Sequence, residues 1–234
     1  MKTLIIALFL FATPVLACEK GTGSGFGYLV DFGGSTFSQA SPDYNQSIGS
    51  ITQNGFIRFH NESGHNAVQF MVGYKKESIF FQNYSDFLSP DGSEMLEFNT
   101  DALLKREAWK FSFINQMQFG QKPGKLMCSV NTGLFYEHTV KASRNGNNGD
   151  WSYDLKNEII PNNLGCILGA EIRFGWFTLG YKVEKLFWDV LDHDYILGQE
   201  LNLSNSSELR GLKLNPWMNY IYLGFNIDFF SGRE

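Results

Sequence analysis

The residues of this chain that could do chemistry are most crowded in the stretch RFHNESGHN. It holds Arg58, His60, Glu62, Ser63 and His65 within eight positions. A serine, a histidine and a carboxylate are the parts of a hydrolase triad, but a triad is recognised by its geometry and not by closeness in sequence. The stretch falls where we expect a tight turn, so we interpret it as a solvated polar turn and expect no enzyme.

Two other stretches resemble ligand sites but lack the required pattern. The segment DVLDHDY, residues 189–195, could hold a divalent cation through its carboxylates, but it lacks the glycine turn and spacing of a calcium loop. The segment GTGSGFG, residues 21–27, resembles a phosphate loop without the preceding strand or the Lys-Ser/Thr ending. We interpret the first as an exposed acidic loop and the second as a flexible lead-in to the first strand. We therefore expect no metal and no cofactor.

The N-terminal segment MKTLIIALFLFATPVLA has the pattern of a secretory signal peptide. A lysine precedes a short apolar run, and small residues follow it at Val15-Leu16-Ala17. We expect residues 1–17 to be removed and residues 18–234 to form one exported domain. The sequence VLAC also fits, less well, a lipobox in which Cys18 would carry lipid.

The composition narrows the classes of protein that fit. The net charge of −5 gives no reason to expect a nucleic-acid partner, and the aromatic content of 16% is high for a domain with only 18% charged residues. No later segment has 18 consecutive apolar residues, which excludes a helical membrane span but not a membrane barrel. The three cysteines show no CxxC or Cys/His metal spacing, so we expect Cys128 and Cys166 to act as small apolar residues without a disulfide.

The period of the apolar pattern is two almost throughout, which predicts strands. One exception is a piece near residues 101–106, where we expect one or two helical turns. Eight alternating runs can be read, at 26–32, 51–59, 68–76, 109–119, 126–138, 164–174, 177–187 and 219–230. The second run is the weakest of the eight.

The lengths of the connections alternate strictly between short and long. The short ones are NESGHN, GQKPGK and Gly175-Trp176, and the long ones are 33–50, 77–108, 139–163 and 188–216. Short turns at one end and long loops at the other are typical of a bacterial outer-membrane barrel. The sequence therefore predicts an eight-stranded antiparallel transmembrane β-barrel with short periplasmic turns and long extracellular loops.

The polar face of the predicted strands would then fill the barrel. An eight-stranded barrel is just wide enough for side chains to fill, and charges inside it must be paired. Both signs occur in similar number, so we predict a polar lumen network of Asp31, Arg58, Lys75, Lys110, Glu137, Glu171, Arg173, Lys182, Glu184 and Asp228. Aromatic residues near the strand ends resemble the two girdles of such barrels. They are Trp109, Phe187 and Trp217 near the outer end, and Phe26, Phe119, Phe174, Trp176 and Phe229 near the inner end.

Three alternatives stay open on these observations. A ten-stranded barrel could use residues 78–84 and part of the last loop. The barrel could be a narrow, porin-like channel for small solutes. A soluble secreted β-sandwich that binds a partner or glycan is the third, and five Asn-x-Ser/Thr triplets weakly favour it. They begin at Asn45, Asn61, Asn83, Asn202 and Asn205.

Three segments carry a resemblance to a known family. They are LMCSVNTGLFYEHTV, NNLGCILGAEIRFGWFTLGYKVEKLFWDV and NYIYLGFNIDFF, which together cover about the last half of the chain. They resemble the small PorT-like outer-membrane β-barrel proteins of Gram-negative bacteria. The resemblance implies an integral protein of the cell envelope, located in the outer membrane, with no catalytic residues. Some members of that family serve in protein secretion, and our own hypothesis for this chain is a structural, adaptor or secretion-associated role.

The partners expected from this resemblance are outer-membrane lipid, the barrel-assembly machinery, and an envelope or secretion protein. The closing strand ends in Phe230, which resembles the C-terminal signal that the assembly machinery reads. Four residues, SGRE, follow that phenylalanine and depart from the usual final aromatic.

Overall fold

The computed structural model describes most of the chain from residue 23 to residue 230. The described residues are 23–38, 45–61, 65–82, 85–86, 98–99, 102–120, 126–146, 152–154, 159–188, 190 and 217–230. The expected signal peptide and Cys18 lie outside them and stay predictions. No helix among the described residues is long and apolar enough to cross a membrane.

The described residues form β-strands joined by turns and bends. The strands are β1 (Gly23–Ser38), β2 (Asn45–His60), β3 (Asn66–Gln82), β4 (Ser85–Asp86), β5 (Phe98–Asn99), β6 (Ala102–Gly120), β7 (Leu126–Gly146), β8 (Ser152–Asp154), β9 (Asn162–Phe174), β10 (Phe177–Leu186) and β11 (Trp217–Phe230).

Eight of these strands close into one antiparallel barrel. Around the ring the order is β1, β2, β3, β6, β7, β9, β10 and β11, and the pairing of β11 with β1 closes it. Every neighbouring pair in the ring is antiparallel. The predicted eight-stranded antiparallel barrel is confirmed, and the β-sandwich alternative is wrong because a single closed sheet replaces two packed sheets.

The three short strands lie outside the ring. Strands β4 and β5 pair with each other, and β8 pairs with the end of β7. Residues 78–82, which the ten-stranded alternative used for an extra strand, continue β3 instead. That alternative is therefore wrong for the described residues.

The two ends of the barrel differ in their connections. At what we call the turn end, β2 and β3 are joined by residues 61–65, β6 and β7 by 121–125, and β9 and β10 by Gly175 and Trp176. Gly175 has a φ of 57°, a conformation that glycine adopts without steric penalty. At the opposite end, the loop end, the connections are 39–44, 83–101, 147–161 and 187–216, so the predicted long loop at 33–50 is wrong and is only six residues.

At the loop end, the observed strands extend beyond the predicted ones. The helical turns expected near 101–106 are wrong, because residues 102–106 are the start of β6. Likewise β3 runs to Gln82 and β7 to Gly146. Outward-facing residues become polar there, at Lys76, Lys105 and Lys141, so the apolar alternation ends while backbone pairing continues.

Inward-facing glycines give large side chains room to cross the narrow lumen. A Cβ on Gly33 would lie 2.0 Å from the ring of Tyr220, and a Cβ on Gly180 would lie 2.2 Å from the ring of Tyr222. Both tyrosines are almost completely buried. The glycines on β1 and β10 therefore let the aromatic residues of β11 lean over their neighbours and fill the barrel.

Candidate functional site: the charged lumen

The predicted lumen residues all belong to the inward face of their strands. Asp31, Arg58, Lys75, Lys110, Glu137, Glu171, Arg173, Lys182 and Glu184 are buried. Asp228 is half-buried at the turn end. Because side chains alternate along a strand, the sequence neighbours of these charges face outward, and most of those neighbours are apolar. The interior thus holds the charges together with buried apolar side chains such as Leu29, Phe56 and Ile114, while the exterior is largely apolar, unlike that of a water-soluble domain.

The first group of charges, the turn-end cluster, consists of Arg58, Arg173, Glu171 and Asp228. Arg173 contacts both carboxylates, with Nε 3.1 Å from Glu171 and Nη1 3.2 Å from Asp228. Arg58 lies 3.4 Å from Glu171 and 3.7 Å from Asp228. Since β2 and β9 are four strands apart in either direction around the ring, the contact between Arg58 and Glu171 spans the lumen.

Uncharged side chains add hydrogen bonds to this cluster. Gln69 accepts hydrogen bonds from Arg58 at 2.7 and 3.0 Å. Glu171 accepts from Gln116 at 3.2 Å, from Asn131 at 3.3 Å and from the hydroxyl of Tyr222 at 3.0 Å. Such bonds stabilise buried charges, whose removal from water is otherwise unfavourable by several kcal/mol each.

The second group, the middle cluster, consists of Asp31, Lys182, Glu184 and Lys110. Lys182 bridges two carboxylates, at 2.7 Å from Asp31 and 3.0 Å from Glu184. Lys110 forms a close ion pair with Glu184 from the other side of the lumen. Its ammonium also lies 4.4 Å from the ring centre of Phe135, a cation–π contact that partly replaces water.

The third group, the loop-end cluster, consists of Lys75, Glu77, Arg106 and Glu137. The guanidinium of Arg106 lies 2.8 Å from Glu77 and 2.6 Å from Glu137. Lys75 lies 3.0 Å from Glu77 and 3.1 Å from Glu137. Each charge therefore contacts both charges of the opposite sign in a closed cycle.

Two members of the loop-end cluster were missed by the sequence analysis. Glu77 fell just beyond the predicted third strand, and Arg106 was assigned to a helical turn. The alternation of side chains along a strand could have found them. Glu77 is two residues from Lys75 and Arg106 is four from Lys110, and residues at an even spacing share one face of a strand. Their pairing in register, Glu77 opposite Arg106, puts both on the inward face.

The lumen charges of the described residues balance within each cluster. Every cluster has two cations and two anions, so six basic residues face six acidic ones, with His60 counted as neutral. The interior is also densely packed. Two cavities within it measure about 10 Å³ each, which is about the space of one water molecule.

The candidate triad does not assemble among the described residues. His60 is buried inside the barrel, with ring nitrogens 3.3 Å from Gln118 and from Asp228, whereas His65 is exposed at the turn end. Glu62 and Ser63 lie outside the described residues. The two histidines therefore belong to opposite environments, and His60 extends the turn-end cluster.

The remaining sequence candidates have simpler positions. The glycine-rich stretch is not wholly a flexible lead-in, because residues 23–27 already belong to β1. Most of the acidic stretch 189–195 lies outside the described residues. Cys128 and Cys166 are free thiols on the outward faces of β7 and β9.

The outward face carries aromatic residues near both ends. Near the loop end Trp109, Phe187 and Trp217 are exposed, and near the turn end Phe26, Phe119, Phe174 and Trp176 are exposed. The side chain of Phe229 lies outside the description. The two groups lie where the sequence analysis expected aromatic girdles.

Three outward tyrosines near the loop end share one arrangement. Tyr74 donates its hydroxyl to Glu107, Tyr136 donates to Asn162 at 2.6 Å, and Tyr181 donates to Asn219 at 2.5 Å. In each case the acceptor lies on the next strand, two residues beyond the tyrosine's partner in register and closer to the loop end. These tyrosines mark the level at which the outward face changes from apolar to polar.

Comparisons with solved structures return outer-membrane barrels at low similarity. The N-terminal β-barrel domain of Pseudomonas aeruginosa OprF is 15% identical with a TM-score of 0.35, covering 89% of this chain and 100% of that chain. Neisserial surface protein A (NspA) is 11% identical with a TM-score of 0.41, covering 89% and 97%. The translocator domain of the autotransporter NalP from Neisseria meningitidis is 11% identical with a TM-score of 0.32, covering 97% and 96%. No family model and no curated protein matches the chain.

Proposed function

We infer that this chain is an integral outer-membrane β-barrel protein with a closed lumen, and that its role in the cell envelope is structural or adaptor-like. The observation that carries the proposal is the inversion of polarity between the two faces of its strands. Twelve charged residues are held inside the barrel in three neutral clusters, while the outward face is apolar.

The outward face is too apolar for a protein surrounded by water. Among the described residues, thirty large hydrophobic side chains are exposed, including Phe174, Leu168 and Ile221 at more than half of their surface. Soluble monomers rarely expose contiguous apolar surface beyond a few hundred Å². A closed barrel also satisfies all of its backbone hydrogen bonds within the ring, as a lipid environment requires.

The height of the apolar surface fits a bilayer. On β7 the outward residues from Leu126 to Tyr136 span ten residue steps. At about 3.3 Å per step and a strand tilt of about 40°, this corresponds to a height of about 25 Å, the usual apolar band of an outer-membrane barrel. The tyrosines at the loop end and the aromatic residues at the turn end would then lie at the two interfaces.

The lumen favours a closed barrel over a channel. The contact between Arg58 and Glu171 crosses its full width, and the ion pair between Lys110 and Glu184 crosses it at a second level. Breaking such a buried pair is strongly unfavourable, so these side chains do not move aside easily for a solute. The narrow-channel role remains the second hypothesis.

The proposed orientation places the turn end, where β1 begins and β11 ends, in the periplasm and the loop end outside the cell. This follows the general pattern of bacterial barrels, whose short turns are periplasmic and whose longer loops are extracellular. A secretion or envelope partner would then meet the protein at either rim. The specific PorT-like and secretion-associated roles, and dependence on the barrel-assembly machinery, rest on the resemblance in sequence alone.

Gel mobility with and without boiling tests the membrane-barrel proposal. We expect the protein to fractionate with the outer membrane and to migrate differently before and after heating, because the closed barrel resists detergent at room temperature. A single band from the soluble fraction would contradict the proposal.

Conductance of planar bilayers containing the folded protein tests the closed lumen. We expect no steps above the background of protein-free bilayers. Reproducible unit conductance would overturn the structural role in favour of a channel.

The proposal assigns no catalytic role, so Ser63→Ala and His65→Ala should leave the behaviour of the purified barrel unchanged. Lipid hydrolysis that either substitution abolishes would contradict that assignment.

A further inference from the structure

A small basic surface lies on the outside of the barrel near the loop end. We call it the rim patch and define it by Lys76 on β3, Lys105 and Glu107 on β6, and Lys141 on β7. The three lysines are exposed, and Glu107 is half-buried. All four residues face outward, just beyond the aromatic pair Tyr74 and Trp109, whose ring centres lie 5.2 Å apart.

The strand register brings these four side chains together. Lys76 lies opposite Glu107, and Glu107 lies opposite Lys141. In a regular pair such as Lys76 and Glu107, directly opposed Cβ atoms lie about 5 Å apart. Beside Glu107 the register of β7 shifts, because Val140 is an extra residue there, and Lys141 is exposed next to that irregularity. Lys105 is two residues from Glu107 on the same face of β6. Three flexible ammonium groups can therefore converge above one carboxylate.

The charge of the rim patch is unbalanced, unlike that of the lumen. Three lysines and one glutamate give a net charge of +2. The carboxylate of Glu107 already accepts a hydrogen bond from the hydroxyl of Tyr74. This bond holds the carboxylate on the side of the patch that faces the apolar surface. A further anion would complete the site, and it would have to come from outside the described residues.

Among the described residues near the loop end, the excess of positive charge lies on one side of the barrel. At the corresponding positions beside Tyr136 and Tyr181, the hydrogen-bond acceptors are the neutral residues Asn162 and Asn219. The outward lysine of β10, Lys185, lies 5.7 Å from the ring centre of Trp217 and so is directed to an aromatic surface. The rim patch is therefore distinct from a uniform ring of solvated lysines.

We propose that the rim patch binds the phosphate group of an anionic lipid headgroup in the leaflet at the loop end. The proposal rests on the membrane location given above, which sets the lysines at the level of the headgroups. Tyr74 and Trp109 contact the upper acyl chains and glycerol region, while Lys76, Lys105 and Lys141 contact the phosphate oxygens. Basic residues near a membrane surface each favour anionic lipid by about 1 kcal/mol.

Native mass spectrometry of the folded, full-length mature barrel in detergent tests this site. The probes are phosphatidic acid and phosphatidylcholine with identical acyl chains, added at equal concentration. We expect the wild-type barrel to retain phosphatidic acid in preference to phosphatidylcholine. The triple variant Lys76→Gln/Lys105→Gln/Lys141→Gln should lose that preference by about tenfold or more, given the contribution of three lysines.

A matched control separates the patch from general charge. Lys185→Gln removes one outward lysine near the loop end but outside the rim patch and should leave the preference unchanged, whereas Lys105→Gln should reduce it several-fold. Equal effects of the two single substitutions would overturn the assignment to the rim patch. Excess inorganic phosphate distinguishes the source of the ligand: if it displaces the lipid fully at millimolar concentration, the site recognises free phosphate and the lipid proposal is wrong.

The heat-dependent gel shift of the same samples separates the two proposals. A wild-type barrel that shows no shift and stays soluble without detergent would contradict the membrane location itself. A barrel that shifts normally but retains both lipids equally would contradict the rim patch alone. Because the three lysines are exposed, the triple variant should keep the wild-type gel shift.

Discussion

The lumen and the rim patch hold charge on opposite faces of the same strands, and they differ in balance. Inside, six basic and six acidic side chains form neutral clusters with contacts mostly near 3 Å. Outside, three lysines share a single glutamate. Burial requires pairing because an unpaired charge inside the barrel is strongly unfavourable, whereas an exposed charge has water and salt around it. Balanced charge is thus required by burial, whereas the surplus at the exposed rim is left for the lipid phosphate that we propose.

The largest expected effect comes from breaking the balance inside. Glu137 is fully buried between Lys75 and Arg106, and Glu137→Ala leaves two cations with the single anion Glu77. We expect the free energy of unfolding to fall by about 3–5 kcal/mol, the usual effect of removing one partner of a buried pair. Urea titration of the barrel folded into phospholipid vesicles measures it, with the heat-dependent gel shift as the readout.

The control for this substitution is the glutamate of the rim. Glu107→Ala removes the same side chain from the exposed patch and should shift the urea midpoint far less than Glu137→Ala does. Equal shifts for the two glutamates would mean that burial in the lumen does not set the energetic role of these charges.

A double-mutant cycle sharpens the comparison by testing whether lumen charges act as pairs. Lys110→Met removes one cation from the middle cluster, and Glu184→Gln removes its close partner. We expect each single substitution to destabilise the barrel, and the double variant to be less destabilised than the sum by about 1–3 kcal/mol. Additive effects would show that the two side chains are stabilised by other neighbours.

The pairing of Lys110 shows what could not be predicted from the sequence. In register it lies opposite Glu137 on the adjacent strand, yet its ion pair is with Glu184 three strands away around the ring. Alternation gives the face of each residue, which is why all ten predicted lumen residues are found on the inward face. The partner depends on strand order, barrel shear and side-chain length, none of which one strand contains.

The strand ends show a second limit of the sequence pattern. The fourth predicted strand began at Trp109, but β6 begins at Ala102. Apolar alternation indicates only the part of a strand whose outward face is apolar. It therefore predicts the apolar middle of the strand and not its polar extension at the loop end. Glu77 and Arg106 lie beyond that apolar middle, and the loop-end cluster was therefore only half predicted.

Glycine substitutions test the same contrast between inside and outside without changing charge. At Gly180 an added Cβ would lie 2.2 Å from the ring of Tyr222, whereas at Gly55 on the outward face of β2 nothing lies within 4 Å. We expect Gly180→Ala to destabilise the barrel by about 1–3 kcal/mol through overpacking. Gly55→Ala should be neutral or slightly stabilising. The difference in urea midpoint between the two variants is the measurement, and matching midpoints would mean that Tyr222 moves aside freely.

The smallest expected effect is on the stability of the rim, and two consecutive lysines allow it to be measured against the lumen. Lys75 faces inward between Glu77 and Glu137, while Lys76 faces outward in the rim patch. We expect Lys76→Gln to change the free energy of unfolding by less than about 0.5 kcal/mol, as for ordinary surface substitutions. Lys75→Gln should instead destabilise the barrel by about 3 kcal/mol or more, because it leaves two buried carboxylates with one cation.

The substitutions at Lys75 and Lys76 separate an effect on stability from an effect on lipid binding. If Lys76 serves a lipid phosphate, its substitution should leave the urea midpoint in phosphatidylcholine vesicles unchanged and lower it only when phosphatidic acid is present, because a ligand stabilises only the folded state that binds it. A lower midpoint in both kinds of vesicle would make Lys76 a structural residue like Lys75. The residue's charge would then contribute to the fold itself, and the surplus at the rim would no longer indicate a partner.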